Sequence, residues 1–218
     1  MTTGPDRLIS ELTRDLETVR VRPPLRQAFA IILTIWTALL GVVLWTQEHE
    51  AGLHSILMNW VYLSAFLGLL FASLGGTISA LAAGIPGRRR LELGGTICAL
   101  LGLVAAAAAC VIGIMTHGLP AMASPAGADQ MCFQKSAYLS LLPAGVILSF
   151  LVRGWAAHPI RAALIALLAS GALGSLIVHA SCSFMAPRHF IVSHLSVPVV
   201  LAVLGFYPLA ILLRRLRG

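Results

Sequence analysis

Apolar residues in this chain come in long blocks separated by short polar breaks. A helix of about 20 apolar residues crosses the ~30 Å hydrocarbon core of a bilayer. By that measure the pattern predicts six spans, at 28–46, 56–84, 93–116, 136–152, 160–180 and 192–213. The second is long enough to tilt or to project from the bilayer at one end. Pro143, Pro198 and Pro208 fall inside the fourth and sixth, where membrane helices tolerate proline if neighbours satisfy the freed carbonyl. Small residues recur at every fourth position in the second span (Ala72, Gly76, Ala80, Gly84) and the fifth (Ala162, Ala166, Ser170, Gly174). Ridges of this kind let helix backbones approach closely, either within the bundle or between copies. The fold expected is an all-α membrane bundle of six helices, residues 28–218, behind a soluble leader, residues 1–27.

The leader has a different pattern. Leu8, Leu12, Leu16 and Val19 fall on one helical stripe, with Ile9 beside it. Pro5 suits a first helical turn, and Pro23 with Pro24 stops the helix before the membrane. The polar face mixes Asp6, Glu11, Asp15 and Glu17 with Arg7, Arg14 and Arg20. A helix lying on lipid would be dominated by lysine and arginine there. Balanced charge around a leucine stripe instead suits a groove on a protein partner, with docking on the bundle or the lipid surface as the alternative.

Composition supports the membrane reading. The chain is 58% hydrophobic and 11% charged over 218 residues, with a mean hydropathy of +0.91. A soluble domain carries about 25% charged residues. The net charge of +7 would suggest nucleic acid in a soluble protein. In a multi-span chain it reports orientation, because lysine and arginine collect on the cytoplasmic side. Arg7, Arg14, Arg20, Arg22, Arg26, Arg88, Arg89, Arg90, Arg153, Arg161, Arg214, Arg215 and Arg217 lie on one side of the predicted spans, and only Lys135 and Arg188 on the other. Both termini are therefore expected in the cytoplasm, with 117–135 and 181–191 outside. Trp45 and Trp155 stand at span ends, where interfacial aromatic residues belong.

Candidate chemistry gathers on the outer side. Cys98 and Cys110 lie twelve residues apart within the third span; that is about 18 Å along a helix, so they cannot pair. Cys132 and Cys182 fall in outer segments, where a disulfide between them is feasible in an oxidising periplasm. His179 precedes Cys182 by three residues on the same helix side. With Cys132 these make a soft-ligand set for Cu(I) or Zn(II), bound transiently if at all, and no other cofactor is indicated. His189 and His194 could join that set or simply bond to loop carbonyls. No GxSxG, Walker loop, CxxC or HExxH spacing occurs. An enzyme is not expected, and the competing class is a membrane thiol oxidoreductase or metal carrier using the same outer residues.

The arrangement resembles the NrsF family of integral-membrane anti-sigma factors. The leader LISELTRDLETVRVRPPLR is similar at Leu8, Ile9, Leu12, Asp15, Leu16, Val19 and Arg20, followed by prolines and Arg26. Cys132 stands ahead of the fourth span and Pro143 within it; Ala157, His158 and Pro159 lead through the fifth span to His179 and Cys182, and His194 to Pro198 open the sixth. The resemblance implies a bacterial inner-membrane protein whose leader holds an extracytoplasmic-function sigma factor. It also implies that Cys132 and Cys182 sense heavy metal or oxidative stress. The lipid bilayer is then the second partner, nucleic acid is not contacted, and self-association is left open.

Overall fold

The computed structural model describes residues 24–46, 56–117, 127–154, 156–184 and 186–215. Six helices in it are long and apolar enough to cross a membrane. They are α1 (Leu25–Thr46), α2 (Trp60–Ala83), α3 (Arg89–His117), α4 (Ala128–Val152), α5 (Pro159–Ala180) and α6 (Pro187–Arg215). Helix α6 contains a π-turn at Ile191–Leu195. Among the described residues there is no strand. The all-α membrane bundle expected from the apolar blocks is the fold observed. The leader stripe, Trp155 and Arg217 lie outside the described residues.

Helix α5 is the axis of the bundle. From Ala169 to Ala180 every residue is buried, with α2 on one side and α4 and α6 on the others. The small-residue ridges explain how the neighbours come so close. A Cβ placed on Gly76 of α2 would lie 2.8 Å from the Cβ of Ala169. One placed on Gly171 would lie 2.5 Å from the Cα of Pro198 in α6. The ridges predicted from the sequence therefore serve packing inside one chain.

Helices α2 and α3 form the tightest pair. A Cβ on Gly102 would stand 2.5 Å from the Gly68 carbonyl oxygen, and one on Gly95 the same distance from that of Gly75. Glycine is required at both levels because backbone meets backbone. The outer faces of the pair and of α1 expose Trp45, Phe71, Leu101 and Val104, as lipid contact demands.

Two boundaries shift from the sequence reading by five residues or more. Helix α4 begins at Ala128 rather than 136, and α6 at Pro187 rather than 192. Both extra turns are polar, carrying Asp129, Gln130 and Lys135 in α4 and Arg188 and His189 in α6. They stay helical because their inward polar groups find partners in the bundle, which a count of apolar residues does not register. As a result Cys132 lies inside a helix rather than in the loop ahead of it.

Candidate functional site

The added turns of α4 and α6 meet the end of α5 and enclose a small polar cluster. Asp129, Cys132 and Ser136 fall three and four residues apart, so they line one face of α4. Gly127, at φ +81°, is the N-cap that starts this face; a left-handed backbone there favours glycine. Cys182 follows the last turn of α5, its N–H bonded to the His179 carbonyl at 3.2 Å. From α6 come His189, Ser193 and His194.

Histidines five residues apart on an α-helix do not share a face. The π-turn brings these two into register. The Ser196 N–H bonds to the Ile191 carbonyl, the i→i+5 pattern that stacks residues five apart. Pro198 follows and has no N–H to offer the His194 carbonyl. The rings of His189 and His194 end with centroids 5.4 Å apart.

Side-chain distances define one connected group. Cys132 Sγ and Cys182 Sγ are 3.9 Å apart as free thiols. The Cys182 sulfur lies 3.3 Å from His189 Nε2, and His189 Nδ1 lies 2.6 Å from Asp129 Oδ1. Ser193 Oγ approaches His189 Nδ1 at 3.3 Å and donates to the Asp129 carbonyl at 3.1 Å. His194 Nδ1 faces Ser136 Oγ at 3.5 Å, while its Nε2 has no hydrogen-bond partner. One ligand atom from each of Cys132, Cys182, His189 and His194 falls within a mutual 4.8 Å, and all four residues are buried. The Cys132 sulfur and burial together push the Cys182 thiol up from its ordinary range.

Of the residues singled out from sequence, Cys132 and Cys182 come together. His179 is next to the group but not of it. Its ring is buried, with Nε2 lacking a hydrogen-bond partner as in His194, and it packs against Phe190 at 4.7 Å and His194 at 5.3 Å. His189 and His194, for which the sequence left two roles open, bond to side chains rather than to loop carbonyls. Asp129, Ser136 and Ser193 were not picked out. The signal for Asp129 and Ser136 was their spacing around Cys132, readable once a helix is allowed to start at Gly127. Cys110 is buried among Ala65, Leu69 and Leu176, and Cys98, whose thiol lies 3.7 Å from the Phe71 carbonyl, packs at the Gly75 crossing, in keeping with packing roles.

No curated protein and no solved structure matches the chain. Residues 12–215 match the family described as NrsF, negative regulator of sigma F. That match takes in Leu12, Leu16 and Val19 of the leader stripe, all six spans and every residue of the Cys/His cluster. A negative regulator of a sigma factor has a sigma factor as its partner, and on nearly the full length of the sequence this chain belongs to the NrsF family.

Proposed function

We propose that the protein is an inner-membrane anti-sigma factor, without enzymatic activity, that holds an extracytoplasmic-function sigma factor away from RNA polymerase. The leader binds through Leu8, Ile9, Leu12, Asp15, Leu16 and Val19. Both termini lie in the cytoplasm, which the partition of arginine supports. At the opposite end of the bundle Cys132 and Cys182 receive the signal, heavy metal or oxidant.

The observation that carries the sensing role is the approach of these sulfurs to 3.9 Å across fifty positions of sequence. A disulfide needs about 2.05 Å between sulfurs, so closing it draws α4 against the end of α5. Because α5 is buried throughout from Ala169 to Ala180, a shift there repacks the bundle rather than one loop. Converting a 99:1 population of holding and releasing states to 1:99 takes about 5.5 kcal/mol of differential stabilisation. Thiol oxidation or metal ligation supplies energy on that scale.

A second reading rests on the Asp129–His189 pair set against the two thiols, the order in which a base activates one thiol of a pair. A membrane thiol oxidoreductase built on it would turn over dithiol substrates, and an anti-sigma factor would not.

The deciding experiment co-purifies the chain with the sigma factor and follows a sigma-dependent promoter. Leu12→Glu with Leu16→Glu is expected to abolish co-purification, because a buried charge costs several kcal/mol. Cys132→Ser or Cys182→Ser is expected to keep repression and lose induction, the double variant behaving like either single one. Full repression by the double leucine variant would remove the leader from the binding role.

A further inference from the structure

We infer that Cys132, Cys182, His189 and His194 form a tetrahedral site for a divalent cation of the zinc class, with Asp129 and Ser136 orienting the two imidazoles. The inference deepens the sensing role proposed for the cysteines and rests on it, by naming what the thiols hold before any signal arrives.

Three observations converge on it. The first is spacing. A tetrahedral zinc with bonds of about 2.3 Å to sulfur and 2.0–2.1 Å to nitrogen sets its ligands roughly 3.8 Å apart for a sulfur pair and about 3.6 Å for sulfur to nitrogen. The sulfurs here are 3.9 Å apart and Cys182 Sγ is 3.3 Å from His189 Nε2. Those two edges fit a ligand tetrahedron rather than a disulfide, and all four ligand atoms lie within 4.8 Å of one another.

The second is the back of each imidazole. A ligating histidine usually donates its other N–H to a carboxylate or similar acceptor, which fixes the tautomer. His189 places Nδ1 on Asp129, leaving Nε2 toward the sulfurs. His194 places Nδ1 on Ser136 and leaves Nε2 without a partner, in a residue with no solvent exposure. A buried, unpartnered ring nitrogen is costly unless something binds it.

The third is the π-turn, which spends regular helix geometry to bring His194 beside His189. Such turns often occur at functional sites.

Charge also balances. Binding releases one proton from each thiol to water, so the cation and two thiolates sum to zero beside two neutral imidazoles. No electron moves. A neutral ligand set suits an end of the bundle where all four ligands are buried, and the Asp129 carboxylate behind His189 keeps its charge on a side chain that is 27% exposed. The cation would also hold the sulfurs as thiolates at a fixed distance and keep them from forming a disulfide. The signal would then be what the thiolates do next, oxidation to the disulfide by the arriving oxidant or capture of a heavier metal, and not loss of the cation alone.

The test titrates Co(II) into the full-length protein in detergent, stripped of metal under reducing conditions, and then adds Zn(II). One equivalent per chain is expected, with tetrahedral ligand-field bands, thiolate-to-cobalt charge transfer, and full displacement by zinc. His189→Gln and His194→Gln should each weaken binding at least tenfold and lose the tetrahedral bands. Asp129→Asn should keep the bands and weaken affinity about 10- to 100-fold. His194→Cys should restore tetrahedral bands with stronger charge transfer, which a misfolded variant could not do. His179→Gln should bind as the unaltered chain does.

The inference fails if the unaltered chain takes up no cobalt, or if both glutamine variants bind it with unchanged affinity and spectrum. Cobalt binding needs no sigma factor, so it is independent of the leader. Normal promoter induction in a chain that binds no cobalt would sink the site and spare the thiol sensor. A full cobalt site in a chain whose promoter ignores Cys132→Ser would do the reverse.

Discussion

Where α2 meets α3, the contact is made by what is missing; where α4, α5 and α6 meet at the cysteine end, it is made by what is present. The α2–α3 seam brings backbone to backbone at Gly68 with Gly102 and Gly75 with Gly95. The cysteine end gathers two thiols, two imidazoles, a carboxylate and two hydroxyls in one cluster. A glycine crossing has one workable packing, because its carbonyls and Cα atoms have nowhere to go. A cluster of donors and acceptors has several, since proton, metal or disulfide each reward a different arrangement. One seam therefore suits a fixed scaffold, and the other suits a region that changes state.

The strongest way to break this contrast is to add atoms at the seam. Gly102→Leu puts a side chain where even a Cβ would sit 2.5 Å from the Gly68 carbonyl oxygen and 2.7 Å from the Ala72 nitrogen. Overpacking in a close-packed interior costs about 1–3 kcal/mol, and collision with backbone should exceed it, at ~3 kcal/mol or more. Thermal unfolding in detergent should show a large loss, with little protein recovered from the membrane. Gly94→Ala is the control, because nothing lies within 4 Å of its added Cβ; helix propensity should leave it equal or slightly more stable. A Gly102→Leu chain that melts like the unaltered one would mean that α2 and α3 can separate at no cost.

At the cysteine end a comparable change should cost less. Asp129→Asn keeps the shape but replaces the charge-assisted bond to His189 Nδ1 at 2.6 Å with a neutral one. A charge-assisted bond is worth roughly 1.5–3 kcal/mol and a neutral one about 1, so the metal-free protein should lose about 1 kcal/mol. The same melting assay measures it. A loss as large as that of Gly102→Leu would make the cluster a structural keystone rather than an adjustable one.

The two regions also differed in how legible they were. Span number and order follow from hydropathy because hydrocarbon leaves few alternatives to a helix. The spacing of Ala72, Gly76, Ala80 and Gly84 foretold a close ridge. The partners of that ridge, Ala169 across from Gly76 and Gly154 across from Gly84, needed the tertiary fold. In the cluster, Cys132 and Cys182 stood out by residue type alone. Asp129 did not, because its turn was too polar to be counted as membrane helix. His189 and His194 were seen without a settled role, since a five-residue spacing has no meaning on an α-helix and acquires one only through the π-turn.

The finest discrimination is at the opposite end, where one ion pair ties the α2–α3 unit to α5. Glu92 Oε1 and Arg161 Nε are 3.2 Å apart, and the arginine side chain is 37% exposed. Water screens such a pair, and ordering the long arginine offsets part of the attraction. Beneath it the Glu92 carbonyl accepts from Ser79 Oγ and Thr96 Oγ1, each at 2.8 Å, which the side-chain change leaves in place. Glu92→Gln should therefore cost under about 1 kcal/mol, less than Asp129→Asn. Pairing it with Arg161→Gln in a double-mutant cycle isolates the coupling, expected at a few tenths of a kcal/mol. A coupling above that of Asp129 with His189 would mean that α5 is fastened at the arginine end by charge, and that the polar cluster is the weaker of its two attachments.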